Sequence, residues 1–240
     1  MTRVTTYGEF SFSADFRSPA PRGARYFNFF RGGSGVLLRN LVKGQPAAQL
    51  AGTPTFGAGF ASLKSQTTYL DTVAAETASM TFYCVARGVG SSTGTTRPIF
   101  LGNYAASALG SAGVSLYPNN ATTIGGSAGT NNSGALSFVT ATANTSPNNW
   151  SFYSVVVDDA ADLVTVRDWT AGTVGTMAMP YARDLTNTRT IRIGSGYAST
   201  FAGNCDINCA GIHTVALNDN ELTQVYARAQ AVAALDGITI

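Results

Sequence analysis

From residue 36 onward the chain repeats one rhythm, a short run of β-forming residues followed by a cluster of Gly, Asn, Ser, Thr or Pro. That rhythm predicts strands at 36–42, 47–52, 60–64, 67–71, 78–87, 97–101, 113–117, 135–141, 150–157, 162–169, 174–178, 189–193 and 204–217. Many short strands separated by turn signals, with no helical periodicity between them, form a two-layer antiparallel sandwich or jelly roll. Several runs alternate. In Met80-Thr81-Phe82-Tyr83-Cys84-Val85-Ala86 the residues Met80, Phe82, Cys84 and Ala86 share one face, which assigns that face to a core. A β domain of 240 residues can remain undivided. It buries roughly 70–75% of its unfolded surface and needs no metal or disulfide to fold.

Two segments depart from the rhythm. Residues 1–35 are irregular and basic, with linker-like stretches at Arg17–Gly23 and Arg31–Gly35 around an aromatic, strand-like Tyr26–Phe30, so they read as an N-terminal arm or a first strand laid on the domain of residues 36–240. At the other end a helix is predicted over 219–235. Asn218 caps it and Glu221 reaches back to the cap amide. Leu222, Val225, Tyr226, Ala229, Val232 and Ala233 line one face, and Gly237 stands where a left-handed stop belongs.

Charge excludes several partners. The net charge of +2 is too small for nucleic acid or an anionic membrane surface, although residues 1–45 alone carry +5. No apolar run is long enough for a membrane-spanning helix. The opening Met-Thr-Arg-Val-Thr-Thr-Tyr shows no signal-peptide pattern, so synthesis in the cytoplasm is expected. Cys205 and Cys209 lie four residues apart, about 13 Å on a straight strand, too far for a disulfide. They read as small buried hydrophobes sharing a strand face.

Three stretches, in order, resemble the concanavalin A-like, laminin-G-like jelly rolls. They are Leu41–Gly44 with Thr53–Gly57 and Tyr69-Leu70-Asp71; then Asn149–Asp158 followed by Val164-Thr165-Val166; then Ile191–Gly194 with Ile207–Leu222. The resemblance covers about residues 40–227. It implies an all-β, two-layer antiparallel jelly-roll sandwich with one short C-terminal α-helix. The Thr53–Phe60, Met80–Arg87, Arg97–Asn103 and Tyr226–Ala229 stretches further resemble small lectin-like proteins of phage and prophage tails. That likeness implies a receptor-binding domain of a virion tail, assembled in the host cytoplasm beside other tail proteins. It also implies a homo-oligomer whose partner is a bacterial surface polysaccharide.

Catalysis has little support in the acids. Hydrolases resembling this fold place three carboxylates on one strand as Glu-x-Asp-x-x-Glu, and none of the 13 acids falls in that pattern. Asp158, Asp159 and Asp162 cluster where a hairpin turn is expected, and turn chemistry explains them. A calcium ion held by Asp158, Asp162 and backbone carbonyls is the alternative there, and no other metal or cofactor is expected. The sole histidine, His213, lies on a strand and reads as a packed side chain rather than a base. The domain is therefore expected to bind rather than to catalyse; a purely structural, oligomerising module and a glycan-degrading enzyme are the competing readings. Sugar binding needs rings that stack on C–H faces and loop amides that reach hydroxyls. Tyr197 and Phe201 in one Gly- and Ser-rich loop, Trp169 with Arg167 near a hairpin end, and Tyr104 with Asn103 are the candidate ligand-binding residues.

Overall fold

The computed structural model describes residues 18–31, 33–107 and 110–240. Two antiparallel sheets face each other. One runs in the order Thr173–Ala178, Leu163–Asp168, Ser151–Asp158, Met80–Val89, Asn204–His213, Phe60–Lys64 and Thr55–Gly57. The other runs Ala135–Asn144, Thr123–Asn132, Val114–Asn120, Leu101–Gly102, Arg192–Ile193, Tyr69–Asp71 and Gln49–Ala51. Their facing surfaces form the core. Met80, Phe82, Cys84 and Ala86 point into it as the alternation requires, and they meet Leu70, Leu101, Leu116, Ile124 and Ile193 from the opposite layer. Phe100 and Tyr153 stack within it at 5.6 Å. Each fully buried side chain of this size contributes about 1.5–3 kcal/mol.

The strand Asn204–His213 pairs along its whole length with Met80–Val89 on one side. On its other side it is shared: Asn204 to Ile207 pair with Phe60–Lys64, and Cys209 to His213 with Ala24–Phe29. Tyr26, Phe27, Phe29 and Phe30 are buried. The packed sandwich thus begins well before residue 36, and residues 24–29 are one of its strands. Residues 1–17 of the expected arm or first strand lie outside the described residues.

A β-bulge between Ile207 and Cys209 corrects the reading of the cysteines. The extra residue, Asn208, shifts the alternation by one, so Cys205 faces the inter-sheet core whereas Cys209 faces the outer layer under the helix. Asn208 itself is buried and donates to Gly59 O (2.6 Å) and Asp236 (3.2 Å). Burial pushes the Cys209 thiol up to about 12 and raises Cys84 and Cys205 further.

The C-terminal helix, Asp219–Leu235, covers the outer face of the first sheet, burying Leu222, Val225, Ala229, Val232 and Ala233 against Phe29, Tyr83, Val85 and Phe152. Its capping box is complete: Asn218 accepts from Glu221 N and Glu221 accepts from Asn218 N. Arg22 donates to the same Glu221 carboxylate at 2.7 Å, which holds that group below the usual carboxylate range. At the far end Ile238 N bonds Ala233 O and Gly237 N bonds Ala234 O, the paired bonds of a Schellman stop, with Gly237 at φ 72°.

Two further expectations fail. Residues 36–42 are not a strand. The chain makes a single helical turn at Ser34–Leu37, held by the Asn28 amide, which donates to the carbonyls of Val36 and Leu37. Conversely, Thr123–Asn132 is a ten-residue strand where the sequence reads as turn-rich. Its glycines are required by close approach rather than by turns. A Cβ on Gly126 would lie 2.5 Å from Val155 across the core, and one on Gly129 would lie 2.9 Å from Gly113 N.

Candidate functional site

The helix covers much of the first sheet's outer face, whereas the second sheet's outer face carries no helix. Its registers are explicit. Ser115 stands opposite Ser127, and Ser127 opposite Thr140; Tyr117 stands opposite Gly125, and Gly125 opposite Thr142; Gly129 stands opposite Phe138. On the middle strand the outward positions are therefore Gly125, Ser127 and Gly129. Tyr117 packs over Gly125 and the Ala112–Gly113 backbone over Gly129, which leaves a small depression at Ser127 between them.

Rings wall this depression. Tyr104 lies 5.8 Å from Phe138 and 5.5 Å from Phe201, and Phe201 lies 5.4 Å from Tyr117. The Arg97 guanidinium sits 4.6 Å from the Phe201 centroid and 5.2 Å from that of Tyr117, and it donates to Asn119 O at 2.8 Å. The enclosed cleft is about 90 Å³, lined by these five residues with Ser115, Ser127 and Thr200. No carboxylate is among them. The Ser115 hydroxyl and Arg97 Nε are buried without a hydrogen-bond partner. Phe138 is 41% exposed at the rim, so one ring is open to a ligand resting on the mouth.

Two larger hollows, of about 300 and 180 Å³, are weaker candidates. No aromatic side chain lines either one. In the larger, Asp206 is already committed to Arg87 at 2.9 Å and to Ser62 at 2.6 Å.

Of the six residues read from the sequence, Tyr104 and Phe201 enter the cleft. Phe201 is 6% exposed and packs with Ile99, Tyr117 and Ala198, so most of its ring serves a small core of its own. Tyr197 lies beside the cleft, its amide bonded to Tyr104 O. Its ring is covered by Arg192 at 3.5 Å and faced by Arg189 at 5.3 Å, and its hydroxyl meets Thr190 at 3.0 Å. Asn103 is fully buried. Its amide donates to Glu76 (2.7 Å) and Arg189 O (3.2 Å), its carbonyl accepts from Val114 N, and no polar atom is left to reach a sugar. Trp169 and Arg167 lie on the other sheet, packed beneath the helix. Trp169 donates to Ser154 Oγ at 2.8 Å and packs against Phe152 and Tyr226, with Arg167 over its ring and bound to Asp219.

Arg97, Ser115, Ser127, Phe138 and Thr200 escaped the sequence reading. The alternation Gly125-x-Ser127-x-Gly129 marks a strand rather than a loop and could have placed Ser127 on an outer face; the other four carry no such signal.

The remaining sequence candidates have local roles. Asp158 Oδ1 accepts from Ala160 N and Ala161 N, the hairpin-turn chemistry expected of it, and Asp162 adopts φ 50° in the same turn. Among the described residues no group of three His, Cys, Asp or Glu side chains is placed to hold a metal ion. His213 is fully buried, bonded to Arg22 O and to Tyr83 OH, and burial lowers its pKa.

No protein-family model matches the chain, and no curated protein matches it in sequence. Solved structures do match in fold. The binding domain of botulinum neurotoxin DC in complex with SialylT superposes with TM-score 0.61 at 10% identity, over 87% of this chain and 52% of that one. The receptor-binding domain of the botulinum neurotoxin C/D mosaic serotype gives TM-score 0.57 at 9% identity, over 86% and 51%. This chain thus spans about half the length of each. At such identities the likeness establishes the all-β sandwich alone.

Proposed function

We propose that the domain is a non-enzymatic, lectin-like module that binds a bacterial surface glycan through the cleft at Tyr104, Tyr117, Phe138 and Phe201. One observation carries this reading: aromatic rings surround a small hydroxyl-lined depression on the sheet face that the helix leaves uncovered. Rings take the C–H face of a sugar and hydroxyls take its polar groups. With no carboxylate in the lining, the cleft has no acid–base pair for glycoside hydrolysis. The resemblance to phage and prophage tail lectins supports placing the module in a virion tail, as a homo-oligomer beside other tail proteins, with a host polysaccharide as receptor.

The test is an array of purified bacterial capsular and lipopolysaccharide glycans probed with the wild type and with Phe138→Ala. Phe138 is partly exposed, so its truncation spares the core. Specific binding that falls about 5–10-fold in the variant is expected, on the order of 1 kcal/mol for one stacked ring. A silent array, or binding indifferent to Phe138, removes the proposal.

A further inference from the structure

The cleft is not only aromatic; it holds an unbalanced charge. Arg22, Arg31, Arg87, Arg167, Arg183 and Arg192 each pair with a carboxylate; Arg97, like the exposed Arg25, Arg39 and Arg189, forms no ion pair among the described residues, but unlike them it is half-buried. A guanidinium partly withdrawn from water is ordinarily matched by an acid, because its desolvation is otherwise uncompensated. Here it is held by two ring faces and one backbone carbonyl, with Nε buried and unpartnered. Beside it the Ser115 hydroxyl, itself 1% exposed, also lacks a partner. A planar fork of donors and a free hydroxyl in one cleft form a receptor for a small planar anion. The wider face has the same sign. Arg189 and Arg192 stand against Tyr197 next to the cleft, and Asp71, 3.7 Å from Arg192, is the acid set against them.

Size narrows the anion. About 90 Å³ takes a few waters' worth of volume, so it admits a substituent and not a whole pyranose. We propose that the cleft recognises an acidic glycan by its carboxylate, which enters to meet Arg97 and Ser115 while the sugar ring rests on Phe138. This rests on the glycan-binding reading above and specifies the class of sugar.

The test uses oligosaccharides ending in glucuronate, galacturonate or N-acetylneuraminate, each beside its carboxyl-reduced counterpart. Affinity is measured by titration calorimetry against wild type, Arg97→Gln, Arg97→Lys and Ser115→Ala. At least one acid form is expected to bind about 10–100-fold more tightly than its reduced partner, the range for a charge-assisted bond. Arg97→Gln should erase that preference while retaining weak binding of the reduced form. Arg97→Lys should keep part of it, since charge survives and the fork does not. Raising salt from about 50 to 500 mM should weaken only the acid forms. Thermal melting of each variant identifies any that has merely unfolded, and Arg97→Lys and Ser115→Ala then carry the comparison. Equal affinity for acid and reduced forms, or a preference that survives Arg97→Gln, overturns the carboxylate assignment and leaves glycan binding standing. Binding to no member of the panel, together with a silent bacterial array, overturns both.

Discussion

Glu76 and Arg183 meet in the interior with 1% and 2% of their side chains exposed, and Arg183→Met removes one charge while preserving much of the bulk. Arg183 also donates to Gly129 O and Ala78 O, and Asn103 supplies the second donor to Glu76. In the variant the carboxylate keeps Asn103 and loses its counter-charge. Burial already raises the Glu76 pKa despite Arg183, so the folded variant relieves the stranded charge by taking up a proton. Holding neutral at pH 7 a carboxyl of ordinary value 4.5 costs about 3.4 kcal/mol, at about 1.36 kcal/mol per unit. Gly129 O keeps the Asp184 amide, so the carbonyl of Ala78 is the one left unpaired, adding about 1 kcal/mol, partly offset by Met packing. The net loss expected is about 3–5 kcal/mol, as for other broken buried pairs. A carboxyl raised on folding holds its proton more tightly in the folded state, so its share of stability is present below 4.5 and is lost as pH rises. At pH 5 the protonation cost falls to about 0.7 kcal/mol, and the variant should recover up to about 2.7 kcal/mol relative to wild type. Urea unfolding at pH 7 and pH 5 measures this, with Glu76→Gln/Arg183→Met as the neutral control. A loss under about 1 kcal/mol, or a deficit that does not shrink at pH 5, refutes the reasoning.

Other expectations follow from single contacts. Gly211→Ala would place a Cβ 2.1 Å from the ring of Tyr83, which is fully buried among Phe27, Phe152 and His213, so a loss near the top of the roughly 1–3 kcal/mol overpacking range is expected. That is several degrees in a thermal melt, and an unchanged Tm contradicts it. His213 is the sole histidine, so one imidazole proton resonance reports it. Its midpoint should lie below 6.5 in the folded protein and return to about 6.5 in urea, and its contribution to stability is present above 6.5 and fades as pH falls. A native midpoint at or above 6.5 counts against its burial as a neutral ring. Finally, the three buried thiols should stay silent to a thiol reagent at pH 8 and react only after unfolding. Rapid labelling of the native protein would show that the strands around Cys84, Cys205 and Cys209 open easily.

What could be read in advance was local. The alternation at Met80–Ala86 assigns its own faces, because side chains on a strand alternate whatever lies opposite. The C-terminal helix could be bounded to the residue, because Asn218, Glu221 and Gly237 act on backbone groups within a few positions of themselves. The tertiary structure decided what depends on distant partners. The bulge at Asn208 turns Cys209 away from the face of Cys205. The glycines of Thr123–Asn132 look like turn residues until Val155 and Gly113 are seen to leave no room for a Cβ. The cleft is the clearest case: Arg97, Tyr104, Ser115, Tyr117, Ser127, Phe138, Thr200 and Phe201 come from separate strands and loops. Asn103 looked like an available amide, yet folding spends its hydrogen bonds on Glu76, Arg189 and Val114. Spacing along the chain carries the period of a strand and the caps of a helix. It carries no information on which rings converge or which half-buried arginine is left without an acid, since burial and partnership are set by distant segments.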